Sequence, residues 1–408
     1  MEIEKLKVSH TKRNILIGGI IIILLIGITL TFTRAKYRTT QSIPLLNGTI
    51  NYELSDLNLI GAYIQEGEEY VKTNTIPTSG YEFNAEESYC TINNERDDNI
   101  TLSFDMTTQN LTVTPLTTKG TKCYLYFDEK LSAGDTILAA SKPQGQTTDW
   151  TGQTTYYYTG KPNNWVQFAG FWWRIIRING DGSIRMIYQG TSANEKGTRT
   201  QIRTSDFNNS ANNNMYVGYM YQSGVLHGLQ QSSTIKNVLD SWYQSNLETN
   251  YGQYIDGNAG FCGDRRVSSG TGGGTSSTDY QPYTRIRNSS PSLSCNKNDI
   301  YTTDEFELGN GALTYPIGLI SADEAMFAGI PWSGSNQNNY LYTGQYYWTM
   351  SPYGYYSSSN ANVFRVWSNG SLYNGSVNNA SGVRPVINLK SAIAITGSGS
   401  KTDPFKVG

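Results

Sequence analysis

The stretch "FWWRIIRINGDGSIRMIYQG", residues 171–190, sets the strand pattern for the larger part of the chain. Two runs of aromatic and β-branched residues flank Asn179-Gly180-Asp181-Gly182, and Asn-Gly and Asp-Gly supply the positive φ that tight hairpin turns require. The stretch therefore predicts a β-hairpin. Its large apolar side chains are expected to anchor a core: Trp172, Trp173, Ile175, Ile176 and Ile178.

Two helices are predicted downstream of this hairpin. Apolar residues from Ile235 to Leu247 recur at helical spacing after Ser232 or Ser233, which can serve as the N-cap. Ser321 with Glu324 forms a capping box ahead of a second, shorter helix. Strands and helices together predict an α+β fold.

Two further segments complete this domain organisation. Between residues 40 and 130, short runs such as "NITLSFDM" and "KCYLYF" alternate apolar and polar residues with period two, which predicts a small all-β spacer domain. Residues 263–300 form a Gly/Ser-rich insertion, expected to be a surface loop of the second domain, residues 131–408.

Four motifs in that second domain carry a family resemblance: "FAGFWWRIIRINGDGSIRMIY", "ISADEAMFAG", "YYWTMSP" and "SGVRPVINL". Together they resemble the C-type-lectin-fold domains related to formylglycine-generating enzymes. They are especially similar to the variable ligand-binding proteins of bacterial diversity-generating retroelements. The resemblance covers roughly residues 131–408 and implies a C-type-lectin-like, ligand-binding domain.

The N-terminal region contains an uncharged apolar run at residues 15–33, flanked by basic residues on both sides. At 1.5 Å per residue it spans roughly 28 Å, about one hydrocarbon core, and predicts a single transmembrane helix. A cleaved signal peptide is the alternative, although the run is longer than a usual h-region. The expected arrangement is a cytoplasmic tail at residues 1–14 and extracytoplasmic C-terminal domains on a single-pass cell-membrane protein.

The charge balance argues against nucleic acid as a partner. The chain has 31 basic and 33 acidic residues, a net charge of -2, and no basic cluster beyond the first 40 residues. Charged residues make up only 16% of the chain, well below the usual quarter, while uncharged polar residues are abundant. That composition suits an extracytoplasmic surface.

Four cysteines follow the apolar run, and none belongs to a CxxC pair. Two local disulfides are expected, Cys90 with Cys123 and Cys262 with Cys295, each stabilising by roughly 3 to 4 kcal/mol. Four unpaired thiols are the alternative. Zinc-ligand spacing is absent, so no metal site and no cofactor are expected.

Residues 325–402 contain no Asp, Glu, His or Cys. The segment therefore cannot by itself run carboxylate or imidazole catalysis, and it lacks the usual ligands for calcium. No catalytic residues are predicted. The enzymatic alternative, by analogy with formylglycine-generating enzymes, depends on cysteines in the C-terminal core, whereas Cys262 and Cys295 lie in or beside the Gly/Ser-rich insertion.

Residues 353–381 have a composition suited to binding instead. Tyr, Ser, Asn and Gly make up 20 of these 29 residues, a mixture typical of antibody paratopes. The expected partner is a protein or glycan. The predicted ligand contacts are Tyr353, Tyr355, Tyr356, Ser357, Ser358, Asn360, Asn362, Phe364, Trp367, Asn369, Tyr373, Asn374, Asn378 and Asn379.

Two other interpretations of this segment stay open. Individual aromatics, Phe364 above all, can be core residues, and the Ser/Asn runs can be solvated loops. If the rings face solvent, replacing Tyr355, Tyr356 or Trp367 should abolish binding without lowering the melting temperature. A structural protein that self-associates through the same rings is a further alternative.

The remaining expectations concern the end of the segment and its origin. Arg384 and Pro385 are assigned to structure, as a buried cation bonded to carbonyls and the start of a final strand. In the resembling retroelement proteins, Asn codons are the typical targets of diversification. Tyr, Ser and Phe are reachable from them by changing adenines, but Trp367 is not.

Overall fold

The computed structural model describes residues 57–77, 80–106, 108–115, 121–358 and 360–407. The chain divides between Lys130 and Leu131 into two compact units. Each unit has its own cluster of buried apolar side chains.

The first unit is a small β structure. A five-stranded sheet has the order β2-β1-β7-β3-β4, in which β1 and β7 run parallel and the other pairs antiparallel, and β5 and β6 form a separate hairpin. Leu102, Phe104, Leu125 and Phe127 are buried, which confirms the alternating strand pattern. The strands are β1 Leu57–Glu66, β2 Glu69–Thr73, β3 Tyr81–Ile92, β4 Glu95–Arg96, β5 Thr101–Asp105, β6 Asn110–Thr114 and β7 Thr121–Glu129.

The first large sheet of the second unit contains the predicted hairpin. Ile178 pairs with Ile184, and the Asn179 amide donates to the Ser183 carbonyl across the turn. The path β26-β12-β11-β10-β28-β27 is extended by β9 on β11 and β8 on β9. Its strands are β8 Gly145–Thr148, β9 Thr154–Tyr157, β10 Trp165–Phe168, β11 Phe171–Ile178, β12 Ile184–Gly190, β26 Val386–Leu389, β27 Ile395–Thr396 and β28 Phe405–Val407.

The second large sheet holds the Tyr/Ser/Asn-rich segment. Its path is β13-β25-β22-β18-β17, with β23 paired to β22 and β24 paired to β23. Its strands are β13 Arg203–Ser205, β17 Val267–Gly270, β18 Thr278–Tyr280, β22 Tyr347–Tyr356, β23 Asn360–Val366, β24 Leu372–Ser376 and β25 Ser381–Val383. Three two-stranded ribbons lie outside both sheets: β14 Met220–Tyr221 with β15 Gln231–Ser232, β16 Phe261–Cys262 with β19 Ile300–Tyr301, and β20 Glu305–Phe306 with β21 Gly309–Asn310.

The helices are short. Ser233 caps the predicted first helix, and Ser321 with Glu324 forms the predicted capping box of the last one. They are α1 Ala133–Ala140, α2 Thr234–Tyr243, α3 Thr249–Tyr251, α4 Gln281–Arg287 and α5 Ala322–Phe327. A π-helical turn, Gln244–Glu248, joins α2 to α3, and 3-10 turns occur at Gly197–Thr200, Asn214–Val217, Gly252–Tyr254 and Lys297–Asp299.

The α+β class predicted from the sequence is wrong, because the described residues are mostly β-sheet with few helices. The helical spacing and capping signals are real, but they produce helices of only 10 and 6 residues in a chain whose regular elements are mostly strands. No helix in the described ranges combines the length and apolar character needed to cross a bilayer. The span predicted at residues 15–33 and the tail at residues 1–14 lie outside the described residues.

The insertion at residues 263–300 is not the surface loop that its composition suggests. It contributes β17, β18 and α4, and β18 pairs with β22 through Thr278 opposite Tyr355. Tyr280 and Ile286 are buried. The insertion is therefore part of the sheet that carries the predicted ligand contacts.

Candidate ligand-binding surface

Strand β22 lies in the middle of its sheet and is covered on both faces, so its aromatic residues are buried whichever face they point to. It pairs with β23 along one edge and with β18 and β25 along the other. Every residue of the strand except Tyr356 is buried. A strand covered on both faces cannot present alternate residues to solvent.

Four predicted ligand contacts are therefore core residues rather than surface residues. Tyr353, Tyr355, Asn362 and Phe364 have 7%, 4%, 2% and 0% of their surface exposed. The Tyr355 hydroxyl donates to the Asn212 carbonyl at 3.3 Å. The expectation that Tyr355 can be replaced without loss of stability is consequently wrong.

The other ten predicted contacts reach the surface. Ser357, Ser358, Asn360, Asn369, Tyr373, Asn378 and Asn379 are exposed, and Tyr356, Trp367 and Asn374 are half-buried. The amides and hydroxyls among them lie chiefly in the turns that connect β22, β23, β24 and β25. Polar groups at these turns can rearrange around a ligand more readily than groups within a strand.

Five partly exposed rings form a continuous path, here called the aromatic surface: Tyr346, Trp367, Tyr373, Trp332 and Tyr283. Successive ring centroids are 5.4, 5.2, 5.1 and 6.1 Å apart. Tyr346 is 39% exposed and Tyr373 is 42% exposed. The buried Tyr353 and Phe364 rings lie beneath, with centroids 6.1 and 6.2 Å from that of Trp332. The rings thus hold one another in place while keeping area open to solvent.

Arg365 supports one end of the aromatic surface. Its guanidinium lies 5.2 Å from the Tyr346 ring centroid and 6.0 Å from that of Trp367, and it donates to the Ser381 hydroxyl at 2.9 Å. Burial lowers the pKa of this guanidinium from its usual value. A Cβ at Gly375 would lie 2.0 Å from the Arg365 Nε, so the side chain needs glycine there.

The turn between β23 and β24 sets the position of Trp367. The Gly370 amide donates to the Trp367 carbonyl at 2.9 Å, and Gly370 has a φ of +79°. A Cβ at Gly370 would lie 2.6 Å from the Asn336 carbonyl oxygen. Glycine is required both by the left-handed backbone and by this close approach.

Tyr356 lies at the other end, beside the insertion. Its hydroxyl donates to the Asp279 carboxylate, which also accepts from the Ser269 hydroxyl. Burial and the hydrogen bond to Asp279 raise the pKa of Tyr356 well above its usual value. The phenol therefore stays neutral and acts as a fixed donor.

A groove of about 560 Å³ adjoins the aromatic surface at Trp332. Arg287 sits at its edge, where its Nη1 donates to the Tyr283 hydroxyl at 2.9 Å. Other residues that line the groove are Tyr157, Met326, Phe327 and Pro331. The aromatic surface and the groove thus share one tryptophan.

The four cysteines are used in disulfides. Both expected disulfides, Cys90–Cys123 and Cys262–Cys295, are present, which confirms that prediction. Within the described part of the chain, no group of three His, Cys, Asp or Glu side chains is arranged to hold a metal.

The two residues assigned to structure have that role. Arg384 is 1% exposed and donates to the Tyr188 and Leu341 carbonyls at distances of 2.9 to 3.2 Å. Pro385 directly precedes β26, and its carbonyl accepts from the Tyr188 amide at 2.9 Å. The burial and bonding of Arg384 agree with the prediction, whereas β26 is not the final strand, because β27 and β28 follow it.

Four components of the site fall outside the predicted set: Tyr283, Trp332, Tyr346 and Arg365. Tyr283 lies in the insertion, and Trp332 and Tyr346 precede the Tyr/Ser/Asn-rich segment. The sequence feature that could have identified Trp332 and Tyr346 is the presence of aromatic residues in "PWSG" and "GQYYW", within a stretch that contains no carboxylates. Their convergence depends on pairing between segments distant in sequence.

Comparison with known proteins gives one partial match. A family model described as a domain of unknown function, DUF6273, matches residues 313–391. No curated protein and no solved structure matches the chain. The matched residues include α5, the strands β22 to β26 and four of the five rings of the aromatic surface: Trp332, Tyr346, Trp367 and Tyr373.

Proposed function

We propose that the second unit is a ligand-binding module that recognises a protein or glycan without covalent chemistry, through the aromatic surface and the Ser/Asn-rich turns beside it. The observation that carries this proposal is the exposure of Tyr346 and Tyr373, at 39% and 42%, within a path of mutually packed rings. Large apolar side chains exposed together commonly mark interaction sites.

The packing of the rings favours binding energetically. Tyr and Trp supply large contact area with few rotatable bonds, so little conformational entropy is lost when a ligand covers them. Contacts with neighbouring rings and with Arg365 already restrict Trp367 before any ligand arrives. Exposed amides such as Asn369 and hydroxyls such as Ser358 in the neighbouring turns supply hydrogen bonds that select among ligands.

The proposal also includes two predictions made from the sequence: the chain is displayed on a membrane, and its Tyr/Ser/Asn-rich segment is diversified. The apolar run at residues 15–33 supports attachment to a membrane. For a diversified segment, positions open to solvent tolerate exchange best, so Asn360, Asn369 and Asn378 suit it better than the buried Asn362. A near-identical DNA copy of the segment beside the gene, differing mainly at adenines, would support diversification.

The binding proposal is tested by presenting the full chain to printed arrays of glycans and of secreted proteins. Tyr373→Ala should weaken capture of the bound ligand about tenfold or more, as truncation of a central aromatic contact does. Phe306→Ala is the matched control, because Phe306 is 38% exposed and lies in the separate β20–β21 hairpin.

Two outcomes would reject the proposal. One is that every ligand on the arrays binds Tyr373→Ala as well as the unchanged protein. The other is that light scattering shows concentration-dependent self-association lost in Tyr373→Ala, with no array ligand bound. The second result would identify the rings as a contact between copies of the chain.

A further inference from the structure

We propose that the ligand is an uncharged, extended glycan chain that lies along the aromatic surface and continues past Trp332 into the adjoining groove. This inference rests on the proposed binding function and adds the class of ligand. It depends on three features of the described residues: the kind of apolar group exposed, the near absence of free charge, and the length of the path.

The exposed apolar groups are flat rings rather than branched aliphatic chains. At this end of the second unit the strongly exposed large apolar side chains are Tyr346 and Tyr373. The face of an aromatic ring is electron-rich and attracts the polarised C–H groups on one face of a sugar ring, while both surfaces lose water. Flat, partly exposed rings therefore suit the stacking of pyranose units.

The surroundings are polar but almost without free charge. Between residues 325 and 389 the only charged residues are Arg365 and Arg384. Arg384 is buried, and the Arg365 guanidinium lies against aromatic rings and donates to Ser381. At the far end, Asp279 accepts from Tyr356, and Arg287 donates to Tyr283 while itself remaining exposed at the groove. Neutral hydroxyl-rich ligands match amide and hydroxyl partners of this kind, whereas an acidic glycan would find its free positive charge at Arg287 rather than along the rings from Tyr346 to Trp332.

The path is long enough to hold several sugar units. Three successive steps of 5.4, 5.2 and 5.1 Å lead from Tyr346 to Trp332. The groove of about 560 Å³ begins at Trp332 itself, so the path does not stop there. Each added unit then binds as part of a tethered ligand, which increases affinity with chain length. A ligand recognised through a single terminal sugar would use only one of these ring-to-ring steps, so the remaining rings would have no role in binding.

The test is isothermal titration calorimetry of the full chain, in buffer containing EDTA, against linear chito-, cello-, xylo- and manno-oligosaccharides of two to six units. For at least one series, affinity should rise about tenfold or more from the shortest to the longest member. Tyr346→Ala and Tyr373→Ala should each weaken the hexasaccharide about fivefold to tenfold and the disaccharide less. Phe306→Ala should leave both affinities unchanged.

The possible failures separate this inference from the proposed function. If only a protein or an acidic glycan is captured on the arrays, and Tyr373→Ala loses it, the glycan class is wrong and the binding function stands. Affinity that does not change with chain length overturns the extended path. If no probe on the arrays or in the titrations depends on Tyr373, both proposals are rejected.

Discussion

Two arginines in the carboxylate-free segment illustrate how a residue's surroundings decide its role. Arg384 and Arg365 both sit among aromatic rings and backbone carbonyls. Arg384 is fully enclosed, whereas Arg365 is half-buried and supports exposed rings. Its position just before the apolar strand β26 made the structural role of Arg384 predictable. The role of Arg365 could not be predicted from its sequence neighbours in the same way, because the rings that it contacts, Tyr346 and Trp367, come from different segments of the chain.

Replacement of Arg384 by Met should destabilise the second unit by about 2–4 kcal/mol, because it leaves buried carbonyls without donors. Arg203→Met is the control, since Arg203 is exposed on β13. Urea unfolding measures both. An equal, small loss in the two variants would contradict the role assigned to Arg384.

At the scale of elements, local signals predicted hairpins and helix starts but not the orientation of the aromatic strands. The Asn179–Gly182 turn and the Ser233 and Ser321 caps depend on neighbouring residues, so the sequence alone identified them. Neighbouring residues do not reveal in the same way which side chains of β22 are buried. Their burial depends on residues distant in sequence, such as Tyr283 of the insertion, whose ring centroid lies 4.6 Å from that of Tyr353.

Glu324 links elements through charge and gives a pH-dependent prediction. Its carboxylate contacts Arg177 on β11 and Arg185 on β12, at 3.0 and 2.5 Å, within the buried core. Burial alone would raise the pKa of Glu324, but the charges of Arg185 and Arg177 outweigh burial and hold it below its usual value. A lowered folded-state pKa means that the ionised form stabilises the fold.

Glu324→Gln should therefore cost about 3–5 kcal/mol at neutral pH, because buried Arg185 loses its carboxylate partner and buried Arg177 keeps only Asp149, at 3.7 Å. This contribution is present above the unfolded-state pKa of about 4.3 and is lost as the pH falls through the lower folded-state pKa. Urea unfolding from pH 7 to pH 2 should show the gap to the unchanged protein narrowing below pH ~4. Glu305→Gln, at an exposed carboxylate, should show no such gap. A gap independent of pH would contradict the assignment.

At the scale of the whole molecule, the two units have separate cores and separate disulfides. Cys90 and Cys123 are opposite each other on β3 and β7, and Cys262 and Cys295 belong to the second unit. The spacing of the cysteines was sufficient to predict this pairing. The aromatic surface was only partly predictable, since Tyr283, Trp332 and Tyr346 join it through long-range packing.

Replacing Cys90 and Cys123 together by Ala should destabilise the first unit by about 3–4 kcal/mol through the lost loop constraint. Differential scanning calorimetry should show one transition shifted down and the transition of the second unit unchanged. The matched variant lacking Cys262 and Cys295 should shift the other transition. Equal shifts of both transitions in either variant would contradict separate cores.

The most direct test of the binding surface compares the urea unfolding of Tyr373→Ala and Tyr353→Ala, followed on the transition of the second unit. Tyr373 is exposed and Tyr353 lies beneath it, although both belong to the same ring network. The first substitution should cost less than about 1 kcal/mol and the second about 3–5 kcal/mol. A loss as large for Tyr373→Ala as for Tyr353→Ala would place the Tyr373 ring in the core and contradict the account.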